Sequence, residues 1–65
     1  MERTYRTILM LGQDDANVVI EAKVRGEHYS IYVNDEFWGT CETRHEVDEE
    51  IRHIIDTLQL RSILG

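Results

Sequence analysis

The sequence predicts an α+β fold: an antiparallel meander sheet of three to four strands with one C-terminal amphipathic helix packed on one face, in two layers. Three observations predict it. Val18 to Arg25 and Tyr29 to Val33 alternate apolar and polar residues at the period of a half-buried strand. Between them, Gly26-Glu27 is a Gly-first pair suited to a type II′ turn. From Thr43 onward the apolar residues recur at helical spacing instead. At 65 residues, with no repeat, no low-complexity segment and no proline, a single domain over 1–65 is expected.

The first strand is expected over Thr4–Leu11. Ile8, Leu9, Met10 and Leu11 are all apolar, so it is either covered on both faces or exposes apolar groups. A polar loop, Gly12–Asn17, leads to the second strand. There Val18, Ile20, Ala22 and Val24 share one face, and Glu21, Lys23 and Arg25 share the other. A two-residue turn at Gly26-Glu27 pairs Val24 with Tyr29, Ala22 with Ile31 and Ile20 with Val33. Turn and alternation then agree on one buried face.

Asn34-Asp35 forms the next turn, because both residues tolerate positive φ. Glu36 to Glu42 returns as a further strand in one of two registers. A two-residue loop puts Trp38 opposite Ile31, on the buried face, and Phe37 opposite Tyr32. A three-residue loop that includes Glu36 exchanges them, because a one-residue slip reverses every side chain. In both registers Tyr32 faces away from the core beside an aromatic neighbour.

Thr43 with Glu46 makes a capping box at the start of the helix. Glu46, Asp48, Glu49 and Glu50 lie near the positive end of its dipole, where carboxylates are stabilising. Val47, Ile51, Ile54, Ile55 and Leu58 form one apolar stripe. If the helix runs on, Leu60, Ile63 and Leu64 fall off that stripe.

Thirteen acidic against seven basic side chains give a net charge of -6, which opposes sequence-independent binding to phosphates. Cys41 is the sole cysteine, so an internal disulfide is excluded and a reducing compartment fits. The longest apolar run, Ile8–Leu11, is too short for a signal peptide or a membrane span, so a cytoplasmic location is expected. A chain this short buries only about 60% of its unfolded surface. Without a disulfide or metal, a well-packed core or self-association is the expected source of further stability.

Few residues point to chemistry. His45, Glu49 and His53 stack four apart along one side of the helix, with Cys41 or Glu42 nearby. Zinc sites seldom draw all their ligands from one exposed helix, and Glu–His pairing on a solvated face accounts for the column, so neither metal nor cofactor is expected. His45-Glu46 begins like a zincin motif, but Glu49 stands where its second His is required. Cys41 precedes a helix N-terminus, where a thiolate would be stabilised, yet a small packing residue at a strand–helix junction is the simpler reading. The glycines at 12, 26, 39 and 65 make no phosphate-binding loop. No catalytic residue is assigned, and no enzyme is expected.

The expected function is that of a small non-enzymatic protein-interaction module, a homodimer of the bacterial or phage accessory kind. Its partner-binding surface is the outer sheet face, with Tyr32, Trp38 (or Phe37 in the other register), Lys23 and Arg25. Its self-association surface is formed by the spare apolar residues Ile8, Met10, Leu60, Ile63 and Leu64. One alternative is an acidic inhibitor that mimics nucleic acid and occupies a nucleic-acid-binding protein through a ridge of Glu42, Glu46, Asp48, Glu49 and Glu50. A second is a weak nucleic-acid binder acting through the outer sheet face.

The run Tyr29–Leu58, with Gly39-Thr40 ending a strand and Thr43-Arg44-His45-Glu46-Val47 opening a helix, loosely resembles the AP2-type DNA-binding domains. Those domains read DNA with arginines and tryptophans on the sheet. Here the same face also carries Glu21 and either Glu36 or Glu42, which oppose phosphate. In size, acidity and layout the chain is also similar to small phage-encoded anti-defence proteins, including some anti-CRISPR inhibitors, and that resemblance implies a protein target.

Overall fold

The structure, a computed structural model, describes residues 3–64. Strands β1 (Arg3–Leu11), β2 (Asn17–Arg25), β3 (His28–Val33) and β4 (Glu36–Cys41) precede helix α1 (Arg44–Leu58) and a short strand β5 (Arg61–Ser62). Together the strands form a five-stranded sheet in the order β4-β3-β2-β1-β5. Every pairing is antiparallel. The meander and its C-terminal helix match the fold class read from the sequence, and β5 is an addition to it.

The turns explain the meander. In the β2–β3 turn only Gly26 has positive φ, 60°, as a type II′ turn requires, and Arg25 pairs with His28 around it. Val24 stands opposite Tyr29, Ala22 opposite Ile31 and Ile20 opposite Val33, in the expected register. Asn34 and Asp35 have φ of 51° and 67°, a type I′ combination, and close a two-residue loop between Val33 and Glu36. Asn34 is also tied back to β2. Its side-chain oxygen accepts from the Val19 N–H at 2.9 Å, and its own N–H donates to the Val19 carbonyl at 2.8 Å.

The core is a single layer between sheet and helix. Ile20 and Ala22 of β2, Ile31 of β3 and Cys41 of β4 meet Val47, Ile51 and Ile54 of α1, with Leu60 beside them. Ile20, Ile31, Val47 and Ile54 are fully buried. Each such side chain contributes about 1.5–3 kcal/mol over its exposed state, so this layer dominates the stability of the fold. Its capping box fixes where the helix starts. Thr43 Oγ1 accepts from the Glu46 N–H at 3.1 Å, while the Glu46 carboxylate reaches back to the Glu42 N–H at 3.2 Å.

The helix does not run on past Leu58. Gln59 takes a left-handed conformation at φ 53°, and a Schellman-type closure follows. The Gln59 N–H donates to the Asp56 carbonyl at 3.3 Å and the Leu60 N–H to the Ile55 carbonyl at 2.9 Å. This reversal drops Leu60 into the core and lays Arg61 and Ser62 beside Leu11 and Met10. Side-chain pairs from Arg61 to Asp15 and from Gln13 to Gln59 tie the returning chain to the β1–β2 loop.

Three of the residues expected to be spare are therefore structural. Leu60 belongs to the core, and Ile8 and Met10 are half-buried against it. For Leu60 the expectation assumed a continuing helix, which the left-handed residue at its end interrupts; for Ile8 and Met10 it followed from the poor alternation of β1, and both pack against the core. Ile63 and Leu64 do remain exposed, at 43% and 96%.

Candidate interaction surfaces

The face of the sheet away from α1 carries no covering layer among the described residues. Alternation along β2 and β3 puts Glu21, Lys23 and Tyr32 there, and three of the expected residues do gather on it. Arg25 Nη2 donates to the Tyr32 hydroxyl at 3.1 Å, and Lys23 Nζ lies 5.1 Å from the Tyr32 ring centroid, a cation–π distance. Phe37 meets Tyr32 edge-on with centroids 5.9 Å apart. It is 62% exposed. On the same face Leu9 stands opposite Val19.

Trp38 is not part of that face. Pairing of β3 with β4 runs from Val33–Glu36 through Tyr32–Phe37 and then shifts, so that Ile31 faces Gly39 and Trp38 is the extra residue of a β-bulge. Its ring lies on the helix side, where Nε1 donates to Glu50 Oε2 at 2.8 Å. The two-residue loop is thus the one formed, and Phe37 takes the outer position that was assigned to Trp38. Sequence pairing missed the bulge because it assumed an unbroken ladder. Gly39, inside an otherwise regular strand, was the available signal.

Between the start of β4 and the end of α1 lies a groove of about 290 Å³, lined by Val33, Asn34, Glu36, Phe37, Trp38 and Leu58. Exposed apolar groups converge here from two elements. Trp38 remains 38% exposed and Leu58 36% exposed at this junction.

The acidic residues do not form one ridge. Glu46 is engaged in the cap, and Glu50 accepts from Trp38, both on the flank of α1 nearer β4. Asp48 lies on the opposite flank, ion-paired with Arg6 at 2.8 Å. Glu49 pairs with His45 at 3.0 Å near the solvent side. Glu42 follows β4 immediately and donates its backbone N–H to Glu46. Helical geometry separates these residues around the axis, so the expected ridge is split between flanks.

The histidine column is likewise divided. His45 meets Glu49, while His53 Nε2 lies 3.4 Å from Thr57 Oγ1. Among the described residues no three His, Cys, Asp or Glu side chains gather as a metal site would require. Cys41 is buried. Burial pushes its thiol up, and the nearby carboxylates of Glu50 and Glu46 push it further. These influences oppose the thiolate that a helix N-terminus would favour.

One cluster has no counterpart in the sequence reading. Tyr5 and Tyr29 meet with their rings tilted at 59° and their centroids 5.4 Å apart. Arg44 spans both, with its guanidinium 5.3 Å from the Tyr5 centroid and its Nε donating to the Tyr29 hydroxyl at 3.3 Å. Tyr5 sits at the irregularity between Thr4 and Arg6 in β1, which no local pattern announces.

A small α+β sheet-and-helix unit with a bare sheet face and an apolar groove among the described residues is the class that fold and surface define. No protein-family model, curated protein or solved structure matches this chain.

Proposed function

We infer that the chain is a small non-enzymatic protein-interaction module that self-associates as a homodimer through its bare sheet face. The observation that supports this is that Leu9 and Phe37 are exposed on that face, with Val19 and Tyr32 partly covered beside them. Two such faces stacked across a two-fold axis would sit about 10 Å apart and cover these side chains on each copy. Glu21 and Lys23 lie two residues apart on β2, so the same axis can set Glu21 of one copy toward Lys23 of the other. Sedimentation of the dilute protein tests the dimer. The expected result is a dimer that Leu9→Lys with Phe37→Lys converts to a folded monomer. A monomer at every concentration removes the homodimer.

A second reading is favoured by one observation. Glu42, Glu46 and Glu50 share the β4 side of the molecule, and such a flank suits the basic surface of a nucleic-acid-binding protein. Under that reading binding weakens steeply as salt is raised, and a salt-insensitive complex rejects it.

A further inference from the structure

We propose that the outer edge of β4, with the groove beside α1, is a docking site for an extended, basic segment of a partner protein. The segment would join the sheet as an added strand and place one apolar side chain in the groove. This rests on the interaction-module reading and gives it a place and a partner chemistry.

Three features converge on this edge. First, β4 ends the sheet and pairs only with β3 among the described residues, so its other side presents unpaired backbone donors and acceptors. A strand edge in that state is what an extended peptide recognises in strand addition. Second, the groove runs along the same edge. Its 290 Å³ lies at the bottom of the range for small-molecule pockets, and its apolar wall of Val33, Phe37, Trp38 and Leu58 suits one large side chain. The Trp38 indole is held in that wall by Glu50.

Third, the charge on this flank has one sign. Glu36 and Glu42 stand at the two ends of β4, and Glu46 and Glu50 line the helix beside it. The seven basic side chains lie elsewhere. Arg3 and Arg6 are on β1, Lys23 and Arg25 on β2, and Arg61 pairs with Asp15. Arg44 is turned onto the tyrosines, and Arg52 lines the β1 side of the helix with Arg6. An incoming strand with lysine or arginine flanking its apolar residue complements this flank. A second copy of β4 does not. Antiparallel pairing of two β4 edges about a two-fold axis brings Glu36 of one toward Glu42 of the other, a like-charge juxtaposition.

The test uses a seven-residue peptide alternating lysine with leucine, its glutamate–leucine counterpart, and the lysine peptide with alternate backbone amides N-methylated. Trp38 is the sole tryptophan, so its emission reads the groove directly. Amide chemical shifts identify the edge. The lysine peptide is expected to shift Trp38 emission saturably and to perturb the amides of residues 36–41. N-methylation removes strand hydrogen bonds but keeps charge and side chains, and is expected to weaken binding about tenfold or more. Glu36→Lys with Glu42→Lys should weaken it similarly, with unchanged far-UV circular dichroism confirming the fold.

Equal binding of the N-methylated or glutamate peptide overturns the proposal. So does perturbation at residues 3–9 instead of 36–41. Concentration-dependent shifts in β4 that persist without peptide in the Leu9→Lys, Phe37→Lys variant, whose sheet-face dimer is broken, would mean that a second copy occupies the edge, and would overturn it as well. If no peptide binds but sedimentation finds the dimer, the docking edge falls and the interaction module stands. If both fail, both fall.

Discussion

Cys41 shows how position within a few ångströms overrides a sequence cue. It stands just before a helix N-terminus, yet it is packed in the core with Glu46 and Glu50 nearby. Both burial and those carboxylates raise its pKa, so the thiolate fraction at neutral pH falls below that of a free cysteine. Alkylation with iodoacetamide, followed by mass spectrometry, is expected to be slower than in the urea-unfolded chain at the same pH. The linkage has a definite sign. A raised thiol pKa adds stability below the ordinary thiol range, and that stability is lost as pH rises through the folded value. Rapid labelling of native protein at neutral pH would contradict the placement.

At the scale of elements, local signals were legible where they were dense. The II′ turn at Gly26, the alternation of β2 and β3 and the capping box at Thr43 each rest on neighbours in sequence, and each is present. What escaped were features fixed by distant partners. Trp38 bulges where the ladder shifts, with its indole bonded to Glu50, twelve residues away. Leu60 is buried because Gln59 reverses the chain, although glutamine carries no marked preference for the left-handed region. Leu60 and Leu64 looked alike in sequence but should now behave differently. Leu60→Ala is expected to cost about 2–4 kcal/mol in urea unfolding, whereas Leu64→Asp should stay within about 0.5 kcal/mol. Equal effects would mean that the chain does not turn at Gln59. At the same position, Gln59→Gly relieves the left-handed residue and should stabilise the fold by up to about 1 kcal/mol, offset by the lost bond to Gln13.

For the whole molecule, one greasy layer joins sheet to helix, flanked by the Arg6–Asp48, Trp38–Glu50 and Arg44–Tyr29 contacts. Its members come from β2, β3, β4, α1 and Leu60 in the turn beyond the helix, so removing any of them loosens all. Such a chain is expected to unfold in one cooperative step. Trp38 emission, reporting the β4–α1 junction, and far-UV circular dichroism, reporting the backbone, should then trace coincident urea transitions. If the emission changes first, β4 and α1 part before the sheet melts. The candidate surfaces were only partly legible at this scale. Tyr32, Lys23 and Arg25 gather as alternation predicts, but the acidic residues divide between flanks and the apolar tail is half absorbed into the core.

The bulge in β4 also bears on how this chain tolerates change in length. Tyr32 faces Phe37 and Ile31 faces Gly39, so Trp38 is one residue more than the ladder requires. Deleting it leaves an uninterrupted hairpin with every later residue on its present side of the sheet. Removing Phe37 or Thr40 instead would take out a residue that has a partner of its own across the ladder. The ladder itself can dispense with Trp38, so its deletion would remove only the tie of β4 to Glu50 and one wall of the groove.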